Sequence, residues 1–290
     1  MESSTAYNFV AMMLMLAEAG FFGSVMELPG GGAFTERDVR RGSHVGPPVL
    51  GHISGSILAG EHFFGFWQGH LANFHKRGFM PQDSDQAIRN RNLELAKFPS
   101  LIDTNGAYEL ATNRLAAYGI DIRALETKYR RNIVQWKFYP EGREGPILLL
   151  PVYRVEWLGF ILRTQTNRER AVVSVDIFGA TREVVEFHVL DDSLFLRPPI
   201  QIKNLEKLMA ISDAEFAGYD AIQKSNLIVK SAVYPNTGLL LPKAIRAPPT
   251  TNTVNKSPQN EGAPQLGPPQ RLKNNNSERQ IKRVPSKSSD

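Results

Sequence analysis

The sequence predicts an α+β fold: an antiparallel sheet with helices packed on one face, followed by a disordered basic tail. Three observations carry this. Apolar residues recur every three or four positions across 104–118, apolar and polar residues alternate at a period of two across 133–189, and the composition changes abruptly near residue 240. Of the 290 residues, 42% are hydrophobic and 22% charged, which is enough to bury a core. The chain divides into an apolar N-terminal helix with a Gly/Pro-rich connector (1–60), an α+β domain (61–234) and the tail (235–290).

Taken in order, residues 5–26 read as an apolar, Met-rich helix that Pro29 and Gly30–Gly32 end. Its core, FVAMMLMLAEAGFF from Phe9 to Phe22, has the length of a signal-peptide core. No Lys or Arg precedes it, however, and Glu18 interrupts it, so it is neither a good export signal nor a membrane span. Residues 28–60 are punctuated by glycine and proline too often for a long element. In HFFGFWQGHLANFH, aromatic residues on both sides of Gln68-Gly69 read as a hairpin over 62–75. Ser84 then opens a helix with Ile88, Asn92, Leu95 and Ala96 on one face, stopped by Pro99. Asp103 or Thr104 caps the next, in which Ala107, Leu110, Ala111, Leu115 and Tyr118 recur until Gly119 ends it. A short helix over 121–129 leads into strands.

In those strands Val134, Trp136 and Phe138 alternate with polar partners, as do Tyr153, Val155 and Trp157, then Val173, Val175 and Ile177, then Val185, Phe187 and Val189. An inner face of Val155, Trp157, Val173, Val175, Val185 and Phe187 is expected against Ala107, Leu110, Ala111 and Leu115. A short helix at 205–209 and a longer one from the capping box Ser212-Asp-Ala-Glu215 to about Val233 complete the domain.

Net charge and chemistry exclude several functions. Residues 247–290 carry seven basic and three acidic side chains, a net of +4, so the formal +5 leaves only +1 for the rest. A body so near neutral offers no long-range field for a phosphate backbone or an anionic membrane, and no specific nucleic-acid partner is expected. Seven prolines and five scattered aliphatic residues cannot offset the tail's ordering entropy. Its Arg271, Lys273, Arg279, Lys282, Arg283 and Lys287 lack the interleaved aromatics that stack on bases. The absence of cysteine removes disulfides, thiolate metal sites and cysteine nucleophiles. GGGAF lacks the spacing of a phosphate loop, and no G-x-S-x-G elbow is present.

The helix AYELATNRLAAYGI, the extended PVYRVEW and the stretch VSVDIFGATREVVEF together resemble the small α+β module called PepSY. Tyr153-Arg-Val-Glu-Trp157 fits one strand pattern of that family, and Val175-Asp176 with Thr181, Glu183 and Val184 fits the other. Arg182 stands where the family has a turn glycine, and Ile177–Ala180 lengthens the hairpin. The resemblance spans about 104–189. It implies a helix on a three-stranded antiparallel sheet and a non-catalytic role in binding or regulating a protein or peptide of the bacterial cell envelope, and hence a secreted or periplasmic location.

Two functional readings follow. In the first, exposed aromatic residues contact a partner, with Phe64, Phe66, Trp67, Tyr153 and Trp157 as candidates, although the same residues also suit a sheet core. No catalytic residue, metal ligand or cofactor site is assigned under this reading. In the alternative, a metal- or His-assisted hydrolase uses the His62–His75 hairpin. Five of six histidines (His44, His52, His62, His70, His75) lie within 32 residues, but five-residue spacing sends His70 and His75 to opposite faces of one strand, and no H-x-x-x-H gathers two ligands.

Overall fold

A computed structural model describes residues 4–29, 34–48, 50–80, 84–141, 145–160 and 169–233. The tail reading at 235–290 and the Gly30–Gly32 helix stop lie outside these residues. Helix α1 spans Thr5–Val25, with Ser4 capping its first turn through the Tyr7 N–H. Strands β1 (His44–Val45), β2 (Gly55–Ala59), β3 (His62–Trp67) and β4 (His70–Lys76) come next. Helices α2 (Asp85–Leu95), α3 (Thr104–Tyr118) and α4 (Ile122–Lys128) separate them from β5 (Arg130–Phe138), β6 (Leu148–Phe160), β7 (Glu169–Phe178) and β8 (Glu183–Val189). A two-residue strand β9 (Gln201–Ile202), helices α5 (Leu205–Met209), α6 (Asp213–Ala217) and α7 (Ala221–Ser231), and β10 (Ala232–Val233) follow.

The eight long and short strands β1–β8 form one antiparallel sheet in the order β1-β2-β3-β4-β8-β7-β6-β5. The α+β expectation holds, but the sheet is larger than the alternation at 133–189 shows. Residues 44–59, read as part of a connector, supply two of its strands; the short β2, GSILA, is bracketed by glycines that mask its period.

Helix α1 is the centre of the core. It lies on the inner sheet face with α3, α5, α6 and α7 against it, and Ala6, Tyr7, Val10, Leu14, Met15 and Phe22 have no exposed surface. Phe22 alone meets Phe64, Phe74, Phe187 and Tyr118, at ring-centroid distances of 5.1–6.3 Å. This is why the helix is so apolar: twelve of its 21 residues are buried, and Phe9, Met12, Met13, Phe21 and Val25 pack partly buried against the same core. Its length and hydropathy also match a membrane span, the same composition serving either burial. Its one acid, Glu18, accepts two hydrogen bonds from the Arg197 guanidinium (3.0 and 2.9 Å) and one from the Tyr118 hydroxyl (2.7 Å). Arg197 also lies 4.1 Å over the Phe21 ring. Gly119, at φ +98°, ends α3 where a Cβ would stand 2.9 Å from the Arg197 side chain.

The expected inner face is right for Val155, Trp157, Val173, Val175 and Phe187, all buried against α3 and its neighbours. Val185 is a correction. A bulge opposite Asp176/Ile177 shifts the register, so Val184 turns inward and Val185 outward. There it joins Leu150, Val152 and Phe178 beneath Leu95 of α2. The helices are therefore not all on one face, since α2 covers part of the outer one. The helix expected from 212 to 233 is two helices, broken at Gly218–Asp220, where Asp220 starts a new capping box with Gln223.

Two stability outcomes test this packing. Trp157→Ala should cost about 3–5 kcal/mol in a denaturant melt, whereas Glu156→Ala, on the outer face, should cost about 0.5 kcal/mol. Arg197→Ala should cost about 3–5 kcal/mol by stranding Glu18, and the double change Glu18→Leu with Arg197→Met should recover most of it, because an apolar pair needs no desolvation offset.

Candidate functional site

The outer sheet face carries a line of small polar side chains. Register places His44, Ser56, Gly65, Asn73, His188, Ser174, Glu156 and Asn132 side by side, one from each strand in turn. Neighbouring strands are about 4.8 Å apart, so adjacent members of this row are near neighbours. Ser56 Oγ lies 2.9 Å from His44 Nδ1. The Asn73 carboxamide oxygen meets His188 Nδ1, and Asn132 donates to Glu156 at 2.6 Å.

Five of this row, His44, Ser56, Gly65, Asn73 and His188, floor a cleft of about 520 Å³, a volume suited to a small ligand or a short peptide. Phe63 and Trp67 of β3 and Phe195, beyond β8, wall it. His70 stacks on Phe195 with centroids 4.1 Å apart and planes 8° from parallel. Gly65 keeps the floor open, since a Cβ there would sit tightly against Asn73 at 3.2 Å and the Phe63 ring at 3.3 Å. Asp192 is the one carboxylate on the rim, and among the described lining residues none is Lys or Arg. Burial drives the His70 pKa down to about 4 and lowers that of His188, so both rings are neutral at pH 7.

Beside the cleft lies a second row of Phe63, His75, Glu186, Asp176 and Arg154. Asp176 is 1% exposed and takes a two-point hydrogen bond from Arg154, at 2.8 and 2.7 Å. Burial nonetheless pushes its pKa up to about 6, against the downward pull of Arg154. Glu186 stands 3.5 Å from the same guanidinium and 3.9 Å from His75. Among the described residues no three His, Asp or Glu side chains are placed to hold a metal ion.

Of the five aromatic candidates for partner contact, Phe64, Phe66, Tyr153 and Trp157 are buried in the main core, and Trp67, at 56%, is exposed on the cleft wall. The hairpin histidines separate differently from the expected parity. A bulge at Ala72, between the pairs Gly65–Asn73 and Phe66–Leu71, restores His70 and His75 to the same outer side. His62 points inward and stacks on Phe74. Sequence reading missed Ser56, Gly65, Asn73, His188 and Phe195 as a group; only the outward parity of Glu186 and His188 in β8 pointed to them. No family model, curated protein or solved structure matches the chain.

Acid sensitivity follows from the buried imidazoles. His70 and His188, and likewise His75, bind protons more weakly folded than unfolded, so stability is full above about pH 6.5 and falls towards about pH 4. Asp176 acts in the opposite sense, gaining its proton more readily in the folded chain. His70→Phe, which keeps the stack on Phe195, should flatten the loss of stability over that window in pH-dependent melts.

Proposed function

We propose that this protein is a non-catalytic binding module of PepSY-like type, and that the outer-face cleft takes an uncharged segment of a protein or peptide of the cell envelope. The observation that carries this reading is the cleft's chemistry. It combines an exposed Trp67 and the Phe63 and Phe195 rings with a floor that offers both acceptors and donors, and it has no basic side chain. A peptide backbone carries donors and acceptors in alternation, which such a floor can satisfy, while an apolar side chain stacks on the wall.

The imidazoles favour recognition over turnover. His44 is engaged with Ser56, His188 with Asn73, and His70 lies flat on Phe195. None of the three is hydrogen-bonded to a carboxylate among the described contacts, the partnership that makes a histidine a strong oriented base. The mostly β scaffold beneath the row holds these groups in fixed register, so binding requires little reorganisation. The arrangement of α3 across β6 and β7 suits the same reading.

The test is selection of peptides from a random library on the full chain, followed by titration of the best binder. Trp67→Ala should weaken it about tenfold or more while leaving the melting temperature nearly unchanged, since the side chain is a surface one. Hydrolysis of the selected peptide, lost in His44→Ala or Ser56→Ala, would replace this reading with an enzymatic one.

A further inference from the structure

A second pocket, of about 300 Å³, opens where the β2–β3 turn meets the end of β4. Three arginines line it: Arg40 and Arg41, just after a 3₁₀ turn at Glu36–Asp38, and Arg77 beyond β4. Their backbones are pinned. The Arg40 N–H donates to the Leu58 carbonyl and the Arg77 N–H to the Glu61 carbonyl, each at 2.8 Å. Glu61 is the one carboxylate lining the pocket, and no guanidinium partner for these arginines is present among the described residues. Three guanidinium groups gathered about one carboxylate leave an excess of positive charge, and an anion between them offsets it.

His62 supplies the second, independent observation. It lines the same pocket, is 7% exposed, and neither ring nitrogen makes a hydrogen bond, although the Ala59 carbonyl lies near enough to favour the protonated ring. A buried polar group left unsatisfied is costly, and His62 borders the same pocket as the arginines. We propose that this pocket is an oxyanion site that takes a phosphate or phosphate-monoester group, with Arg40, Arg41 and Arg77 neutralising it and His62 donating to it. Guanidinium groups present paired N–H donors that match phosphate oxygens, which is why arginine suits this role better than a point charge. Phe63 lies on the wall of both this pocket and the neutral cleft, yet the two differ in charge, so the inference does not depend on what the cleft binds.

His62 also gives the site a pH signature. Burial and Lys76 lower its pKa, Glu61, Glu183 and the Ala59 carbonyl raise it, and Arg40, Arg41 and Arg77 border the same pocket. A bound dianion adds a strong upward pull, so binding takes up a proton and affinity rises as pH falls.

Calorimetric titration of the full chain with inorganic phosphate tests the free anion, and co-sedimentation with phosphatidylcholine vesicles containing phosphatidic acid tests the same group on a lipid. Saturable binding in either arm, weakened about tenfold in Arg41→Gln with Arg77→Gln and unchanged in Arg37→Gln and in Trp67→Ala, supports the site and identifies its source. Sulfate, whose charge is constant, should bind more tightly at about pH 5.5 than at about pH 7.5, with the difference lost in His62→Gln. Absence of saturable binding in both arms, or equal weakening in Arg37→Gln, would overturn the site. A sulfate affinity independent of pH would remove His62 from it.

Discussion

Helix α1 has no polar face to offer water, and the rest of the protein is arranged to surround it. The sheet supplies one wall and α3 with α5–α7 the others, so strands from both halves of the chain share one core with residues 5–25. A helix so apolar would be indifferent to its rotation if packing alone held it. Glu18 removes that freedom, because a buried carboxylate must meet Arg197 and Tyr118, and only one rotation allows it. The pair joins residues 179 positions apart and fixes the segment beyond β8, which brings Phe195 to the cleft.

With the inner face consumed by that packing, the outer face is left to carry chemistry. Helix α2 covers only the end of it near Val152, Phe178 and Val185. The remainder is a polar row that crosses all eight strands, aromatic-walled on the β1–β4 side and charged around Arg154 and Asp176 on the other. Sheet geometry makes this arrangement economical, since one outward residue per strand sets seven side chains and Gly65 in line without any loop.

Charge is partitioned along the same lines. The main cleft has no Lys or Arg among its described lining residues, burial keeps its His70 and His188 unprotonated, and Asp192 on the rim is its one carboxylate. The small pocket a few residues away is cationic, with three arginines and one carboxylate. The formal charge of the chain describes neither.

Much of the local structure was legible in the sequence. The period of three to four in α3, its Asp103 cap and Gly119 stop, and the alternation in β6 and β7 depend on neighbours a few residues away, and short-range sterics and hydrogen bonding decide them. The buried state of Trp157 followed from the same alternation. What the tertiary structure decided was everything set by strand partners. Bulges at Ala72 and Val185 reverse side-chain parity without leaving a mark in composition, so His70 and His75 share a face and Val185 leaves the core. The short strand β2 exists because β3 offers it an edge, β1 because β2 does, and the polar row exists because the registers of seven strand pairs coincide. Such coincidences arise between residues as much as 144 positions apart, from His44 to His188, and no local pattern encodes them.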